Sequence, residues 1–240
     1  MYRLCVILLT LALGMVFESA ESNMRVDANP GTGSIEKCAS VDEISTSVTK
    51  LASPLTDSEL DEVRAVLFNN AKRSQKCRQA VITTLIKAMD QPNLDLLSTP
   101  GTYDTWTYAA RILGELKAVE ALDLLIGHLN STDGLSININ HFPAVGGIVT
   151  MGPIAIPKLA SALKTNSDRY VRKHAIFCLA SIGGPSAKQI LEQVLHSESD
   201  RCNREFIMAS LSAFKNKKTP NRIIFDPERS AWYASLYCHN

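Results

Sequence analysis

A short apolar pattern around a glycine returns three times in the second half of the chain. In each copy an apolar residue precedes the glycine, and an alanine and then a leucine follow it. The glycines of successive copies lie 38 and 31 residues apart, which is the period of stacked helical hairpins. The copies are Leu113-Gly114 with Ala118 and Leu122, Met151-Gly152 with Ala155 and Leu159, and Ile182-Gly183 with Ala187 and Leu191.

The residues before each glycine predict the first helix of a hairpin, which we call helix A. Apolar or small residues stand eight, five, four and one positions before the glycine, and these offsets trace one face of an α-helix. The position five before the glycine is small in every copy, with Ala109, Gly147 and Cys178. We expect a neighbouring helix to approach closely at this position.

The residues after each glycine predict a second helix, helix B. Its apolar frame is alanine, then leucine four residues later, then two more apolar residues, as in Ala187, Leu191, Val194 and Leu195. Neither helix could bury its stripe alone, so the hairpins must stack on one another.

These patterns predict an all-α fold, a right-handed α-solenoid of about nine or ten helices over residues 55–240. Thr56 and Glu59 form a capping box that begins an earlier helix. At the other end, Asp226-Pro227-Glu228 is a helix start. The helix that follows is predicted to cover the open end of the stack with Trp232, Tyr233, Leu236 and Tyr237.

The motifs resemble short bacterial HEAT repeats, the HEAT-like family first described in phycobilin lyases. The resemblance is closest where Val171-Arg172 is followed by Ala175, Leu179 and Ile182-Gly183. It covers about residues 104–215 and implies a stack of helical hairpins. It rests on packing residues alone, so no lyase activity is implied. The first copy lacks the usual aspartate between its helices, and the second has an unusual Gly146-Gly147.

The N-terminal residues predict an export signal. Arg3 precedes an uncharged apolar run from Leu4 to Phe17, which is long enough for a signal peptide and short for a membrane span. We expect a signal peptide over residues 1–22 with cleavage near Ser22, and hence a secreted or periplasmic protein. An uncleaved N-terminal anchor is the alternative. Residues 23–54 are expected to form a flexible segment, although residues 41–51 could form a short helix.

Five cysteines remain after removal of residues 1–22, and an odd number cannot all pair internally. Cys178 falls at a small, buried helix position and is predicted to be the unpaired one. Cys38 with Cys77, and Cys202 with Cys238, would then staple the two ends of the array, each by roughly 3–4 kcal/mol in the chain-entropy model. The alternative is that all five are free thiols.

The charge of the mature chain excludes a general attraction to polyanions. Loss of Arg3, Glu18 and Glu21 leaves 25 − 1 = 24 basic and 24 − 2 = 22 acidic residues, a net charge of +2. So small an excess does not favour nucleic acid or anionic membranes. No membrane span is expected after signal removal, and the expected partner is another protein.

Two groups of residues are candidates for chemistry. His174 and Cys178 lie four apart on one helix face, where they could bind a metal or form a nucleophile with its base. A core cysteine beside a surface histidine is the favoured interpretation, because no third ligand has a telling spacing. Glu115, Glu120 and Asp123 could include an acid–base pair, but a solvated helix surface is favoured. We therefore predict no catalytic, cofactor or metal site.

The sequence thus predicts an exported, non-enzymatic scaffold that binds a protein through a surface lined by the B helices. The alternatives are a structural subunit of an envelope assembly and a small enzyme or metal-binding protein that uses His174 and Cys178. The connection from Ser131 to Phe142 is either a binding feature or a tolerated insertion. The candidate residues for partner binding are Glu120, Asp123, Lys158, Ser161, Lys164, Lys188, Gln189, Glu192 and Gln193.

Overall fold

A computed structural model describes residues 38, 40–90, 101–132 and 141–215 of the chain. The predicted signal peptide, the predicted C-terminal helix and most of the connection after Ser131 lie outside these residues. The described part contains α-helices and short 3-10 turns and no β-strand. The helices are α1 (Val41–Thr49), α2 (Asp57–Arg73), α3 (Gln75–Met89), α4 (Thr102–Glu115), α5 (Leu122–Gly127), α6 (Pro143–Met151), α7 (Ile156–Thr165), α8 (Arg169–Ile182), α9 (Gly184–Ser197) and α10 (Arg201–Lys215).

The helices stack as two layers, which confirms the all-α solenoid. Helices α4, α6, α8 and α10 are the A helices, and each packs on the next. Helices α5, α7 and α9 are the B helices and form the second layer in the same order. In the first two hairpins the B arm begins with a 3-10 turn, at Val119–Ala121 and Gly152–Ala155. The handedness of the stack stays a prediction.

The core lies between the two layers and contains the residues that the repeat pattern selected. Trp106, Ala144 and Ala175, eight positions before the glycines, are at most 1% exposed. The alanine and leucine that begin each B frame are equally buried, with at most 2% of Leu122 exposed. Burial of these stripes is the main driving force for stacking, because each large aliphatic side chain contributes about 1.5–3 kcal/mol when it leaves water.

The N-terminal helices extend the same core. Residues 23–54 were expected to form a flexible segment in which residues 41–51 could form a short helix, and α1 with the 3-10 turn Lys50–Ala52 confirms that helix. Ser40 caps α1 by accepting a hydrogen bond from the Glu43 amide, and Ile44, Val48 and Leu51 are at most 3% exposed. These three residues share one helix face, so apolar burial orders a segment whose other residues are polar.

A disulfide joins Cys38 to Cys77 at the start of α3, with the Cα atoms 5.3 Å apart. This is the pairing that the sequence analysis expected at the N-terminal end. The bridge joins residues 39 apart in the sequence and ties the chain before α1 to helix α3. Cys178 is free and buried, as expected.

One helical stretch of the described chain, Pro143–Thr165, is long and apolar enough by length and composition to cross a membrane. It consists of α6 and α7, and the chain turns between them at Gly152, whose φ of 71° lies in the left-handed region. Ile148, Met151 and Leu159 face the core and are at most 1% exposed. Packing inside the stack thus accounts for these core-facing apolar residues of the hairpin.

Helices α4 and α6 approach each other closely. A Cβ atom added at Gly147 would lie 2.6 Å from the carbonyl oxygen of Ala110, and one added at Gly114 would lie 2.5 Å from the carbonyl oxygen of Gly147. Real Cβ atoms do not come this close to another atom, so the two glycines let the helix backbones touch. The expectation of a close approach five positions before the hairpin glycine is therefore confirmed for this pair of helices.

Gly147→Ala should destabilise the protein by about 1–3 kcal/mol, because the new methyl group must push α4 and α6 apart. The neighbouring Gly146 is the matched control, since a Cβ atom there meets nothing within 4 Å. Gly146→Ala should stabilise the protein by about 0.4–1 kcal/mol through the lower entropy of the unfolded chain. Urea unfolding followed by circular dichroism measures both changes. Equal effects of the two substitutions would contradict the close contact.

Candidate partner-binding surface

The B helices place the candidate partner-binding residues on the outside of the stack. The first two B arms carry Glu120, Asp123, Lys158, Ser161 and Lys164, and all five are exposed. On α9, Gln189, Glu192 and Gln193 are exposed and Lys188 is half-buried. We call these nine residues the B face. The structure therefore brings the predicted residues to one layer of the stack.

Most charges of the B face lie in ion pairs. The Lys158 Nζ atom lies 2.8 and 2.9 Å from the two carboxylate oxygens of Asp123, which joins the second hairpin to the first. Lys188 donates to Glu192 within α9 at 2.7 Å. The B face is thus a polar surface of alternating sign, which is typical of an interface where charge sets specificity more than affinity.

The acidic residues near the first hairpin face cations instead of one another. Glu115 lies 2.5 Å from Arg64 and 3.3 Å from Arg111, and the hydrogen bond to Glu115 raises the pKa of the Arg64 guanidinium. Glu120 lies 3.3 Å from Arg78 of α3. These carboxylates form ion pairs between hairpins, which the interpretation as a solvated surface missed. They do not assemble the alternative acid–base pair.

Cationic side chains also cap the ends of A helices in the following hairpin. Arg78 donates to the carbonyl oxygen of Leu116 at the end of α4, at 2.9 Å. One hairpin further on, Lys117 donates to the carbonyl oxygens of Thr150 and Met151 at the end of α6. The last carbonyl groups of a helix have no hydrogen-bond partner within it and carry partial negative charge. A cationic side chain at this end supplies both a hydrogen bond and a compensating charge.

His174 is buried, so the expectation of a surface histidine is wrong. Only 6% of the residue is exposed, and its ring packs on Phe142 with the centroids 4.3 Å apart. Its Nδ1 atom has no hydrogen-bond partner. Burial lowers the pKa of the imidazole to about 4, against an opposing hydrogen bond with the Leu129 backbone. His174 is therefore neutral at physiological pH.

Cys178 is fully buried, and loss of solvation raises the pKa of its thiol well above the ordinary value. Neutral imidazole beside a protonated, inaccessible thiol does not provide the thiolate that nucleophilic catalysis or metal binding requires. In the described residues no group of three histidine, cysteine or acidic side chains could hold a metal ion. The alternative of chemistry at His174 and Cys178 has no support from this geometry.

Two exposed apolar residues on the B arms escaped the sequence analysis. Val119 is 44% exposed and Ile154 is 48% exposed, and both lie in the 3-10 turns that begin successive B arms. Each adjoins a fully buried alanine of the repeat, Ala118 or Ala155. The repeat pattern assigns the alanines to the core. The residue next to each alanine points away from the core and therefore lies on the outside. They add apolar area at the edge of the B face.

Comparison with known families supports the HEAT resemblance. Residues 145–220 match a family model described as HEAT repeats, which covers α6 to α10 of the described structure. The first hairpin and the N-terminal helices lie outside the match. Comparisons with curated proteins and with solved structures gave no match.

Replacing His174 tests the pKa that the structure assigns to it. Between pH 6.5 and 4 the unfolded chain binds a proton at this histidine and the folded chain does not, so stability falls as the pH drops. Acidification from pH 7.5 to 4 should cost the wild type about 3 kcal/mol more than it costs His174→Gln. Urea unfolding at a series of pH values measures the difference. Parallel pH profiles of the two proteins would show that His174 is not buried in the neutral form.

Proposed function

We propose that this protein is an exported scaffold that binds another protein through its B face. HEAT repeats are in general protein-interaction scaffolds, and the stacked hairpins with their exposed polar B helices are the observation that carries the proposal. The B face offers mixed charges with apolar Val119 and Ile154 at its edge. A polar surface around apolar contacts is the usual anatomy of a non-obligate interface.

We propose that the role is non-enzymatic, and the same geometry supports this. The residues with chemical potential are either buried and neutral, as His174 and Cys178 are, or held in ion pairs, as Glu115 and Glu120 are. Catalysis needs a reactive group that substrate can reach. The described part of the chain offers no such group at the sites the sequence suggested.

Export is supported by the disulfides. Cys38 is bonded to Cys77, and Cys202 is also disulfide-bonded, with a partner outside the described residues. Disulfides persist in oxidising compartments and are rare in the cytosol. Together with the N-terminal apolar run, they favour secretion or a periplasmic location.

Intact mass of the protein isolated from its source tests export. We expect loss of about the first 22 residues and a mass lower by four hydrogens than that of the fully reduced chain, as two disulfides require. Retention of residues 4–17, or more than the one reduced cysteine expected from the free Cys178, would contradict the proposal.

A pair of charge-reversal variants tests the B face. Lys158, Lys164 and Lys188 would be changed to Glu in one bait. Lys72 of α2, Arg111 of α4 and Arg201 of α10 would be changed to Glu in a matched control, the A-layer variant. Each set changes the charge by six, and in each set two residues lie in exposed ion pairs. Such pairs contribute about 0–1 kcal/mol, so both baits should stay folded.

The baits would be compared in affinity capture from the extracytoplasmic fraction of the source. The wild type and the A-layer variant should capture the same partner, and the B-face variant should lose it. Loss of the partner by the A-layer variant alone, or capture by all three baits, would contradict binding through the B face.

A further inference from the structure

Cys202 lies on the side of α10 that faces away from the B layer. Ile207 and Leu211 of α10 pack into the core that lies between the A and B layers. Successive helix residues are turned by about 100°, which places Cys202 about 140° from Ile207 and about 180° from Leu211. The disulfide of Cys202 therefore leaves the outer side of the A layer.

The remaining cysteines identify the partner of Cys202. Cys38 is paired with Cys77, and Cys178 is free. Only Cys5 and Cys238 are left, and Cys5 lies in the predicted signal peptide. The partner in the mature chain is then Cys238, two residues before the end of the sequence. Formation of the Cys202–Cys238 disulfide requires that the two thiols give up two protons and two electrons to a disulfide oxidant of the exported compartment.

The chain after α10 has the right length to return along that helix. From Lys215 back to Cys202 the helix is about 20 Å long, and a helix over residues 226–238 would be about 18 Å long. Residues 216–225 are enough for the turn between them. An antiparallel helix that begins near Asp226 beside the end of α10 would therefore bring Cys238 to Cys202.

At the other end of the chain, the segment before α2 already covers the outer side of the A layer. Tyr108 of α4 stands six positions before its hairpin glycine, and its hydroxyl accepts a hydrogen bond from the Leu55 amide. The equivalent residue of α6, Gly146, is exposed, and that of α8, Phe177, is 1% exposed and stacked on Phe206 of α10. The outer side is thus covered at α4 and open at α6.

We propose that residues 226–238 dock on the outer side of α10, beside its Cys202 and Ala209, and are held there by a Cys202–Cys238 disulfide. The aromatic stripe of Trp232, Tyr233 and Tyr237 would supply the contact. This differs from a cap over the open end of the stack, where the exposed Met208 lies. Both chain termini then cover the outer A layer and leave the B face to partners. The inference rests on the export that is part of the proposed function, and it is independent of partner binding through the B face.

Peptide mapping of the oxidised mature protein tests the disulfide. Trypsin should release the tripeptide Cys202-Asn203-Arg204 linked to the peptide that runs from Ser230 to Asn240, from protein that is monomeric on a non-reducing gel. A free Cys202, a link to any other peptide, or a link found only in a covalent dimer would overturn the proposal.

Hydrogen exchange tests the docking. In the wild type, the amides of residues 226–238 should be protected. Ala209→Asp, on the same side of α10 as Cys202, should reduce their protection about tenfold or more. Met208→Asp is the matched control, because this neighbouring residue lies about 100° round the helix toward the open end. It should leave the protection unchanged.

Each other pattern contradicts docking on the outer side. Unprotected amides in the wild type would show that the segment is not docked. Loss of protection with Met208→Asp would place the segment over the open end of the stack. The amides of α4 and α6 serve as the fold check, and they should exchange alike in all three proteins.

Discussion

The backbone contact between α4 and α6 sets the spacing on which the stack depends. Gly114 and Gly147 lack the atoms that would hold the two helices apart, and the carbonyl groups of Ala110 and Gly147 occupy that space. At this separation the B arms of both hairpins reach a common core, in which Leu125 and Leu159 are fully buried. Packing at this density leaves little freedom for adjustment. A single methyl group added at the contact should therefore destabilise both hairpins.

Polar contacts then fix the order of the hairpins at their edges. Arg78 and Lys117 each cap the end of an A helix in the next hairpin. Each contact joins segments that are neighbours in the array and distant in sequence. Stability in such arrays is a sum over neighbouring repeats, so these contacts couple the repeats that hydrophobic packing brings together.

The hairpin glycines made most of the fold predictable. Gly152 and Gly183 take up positive φ angles where helix A ends, and the apolar offsets around them selected the buried residues correctly. Helix α1 was only an alternative in the prediction. Two features of the sequence nevertheless indicate it, namely the N-cap Ser40 three residues before Glu43, and the helical spacing of Ile44, Val48 and Leu51. The polar residues between these apolar positions make the helical periodicity hard to recognise in the sequence.

The site was less predictable, for physical reasons. His174 is polar and was expected at the surface, but the position of Phe142 and the Leu129 backbone over it follows only from folding. The pairing of Asp123 with Lys158 joins residues 35 apart, and no local spacing reveals it. The exposed Val119 and Ile154 likewise needed the 3-10 turns that the helical pattern did not anticipate.

The central claim is that no hairpin is stable without its neighbours. Native-state hydrogen exchange on Gly147→Ala tests it most directly, because the method assigns a free energy of opening to each helix. The account predicts that protection falls by a similar amount in α4, α6 and α8. A loss confined to α6, with α4 and α8 as protected as in the wild type, would show that the hairpins are stable independently and would contradict the account.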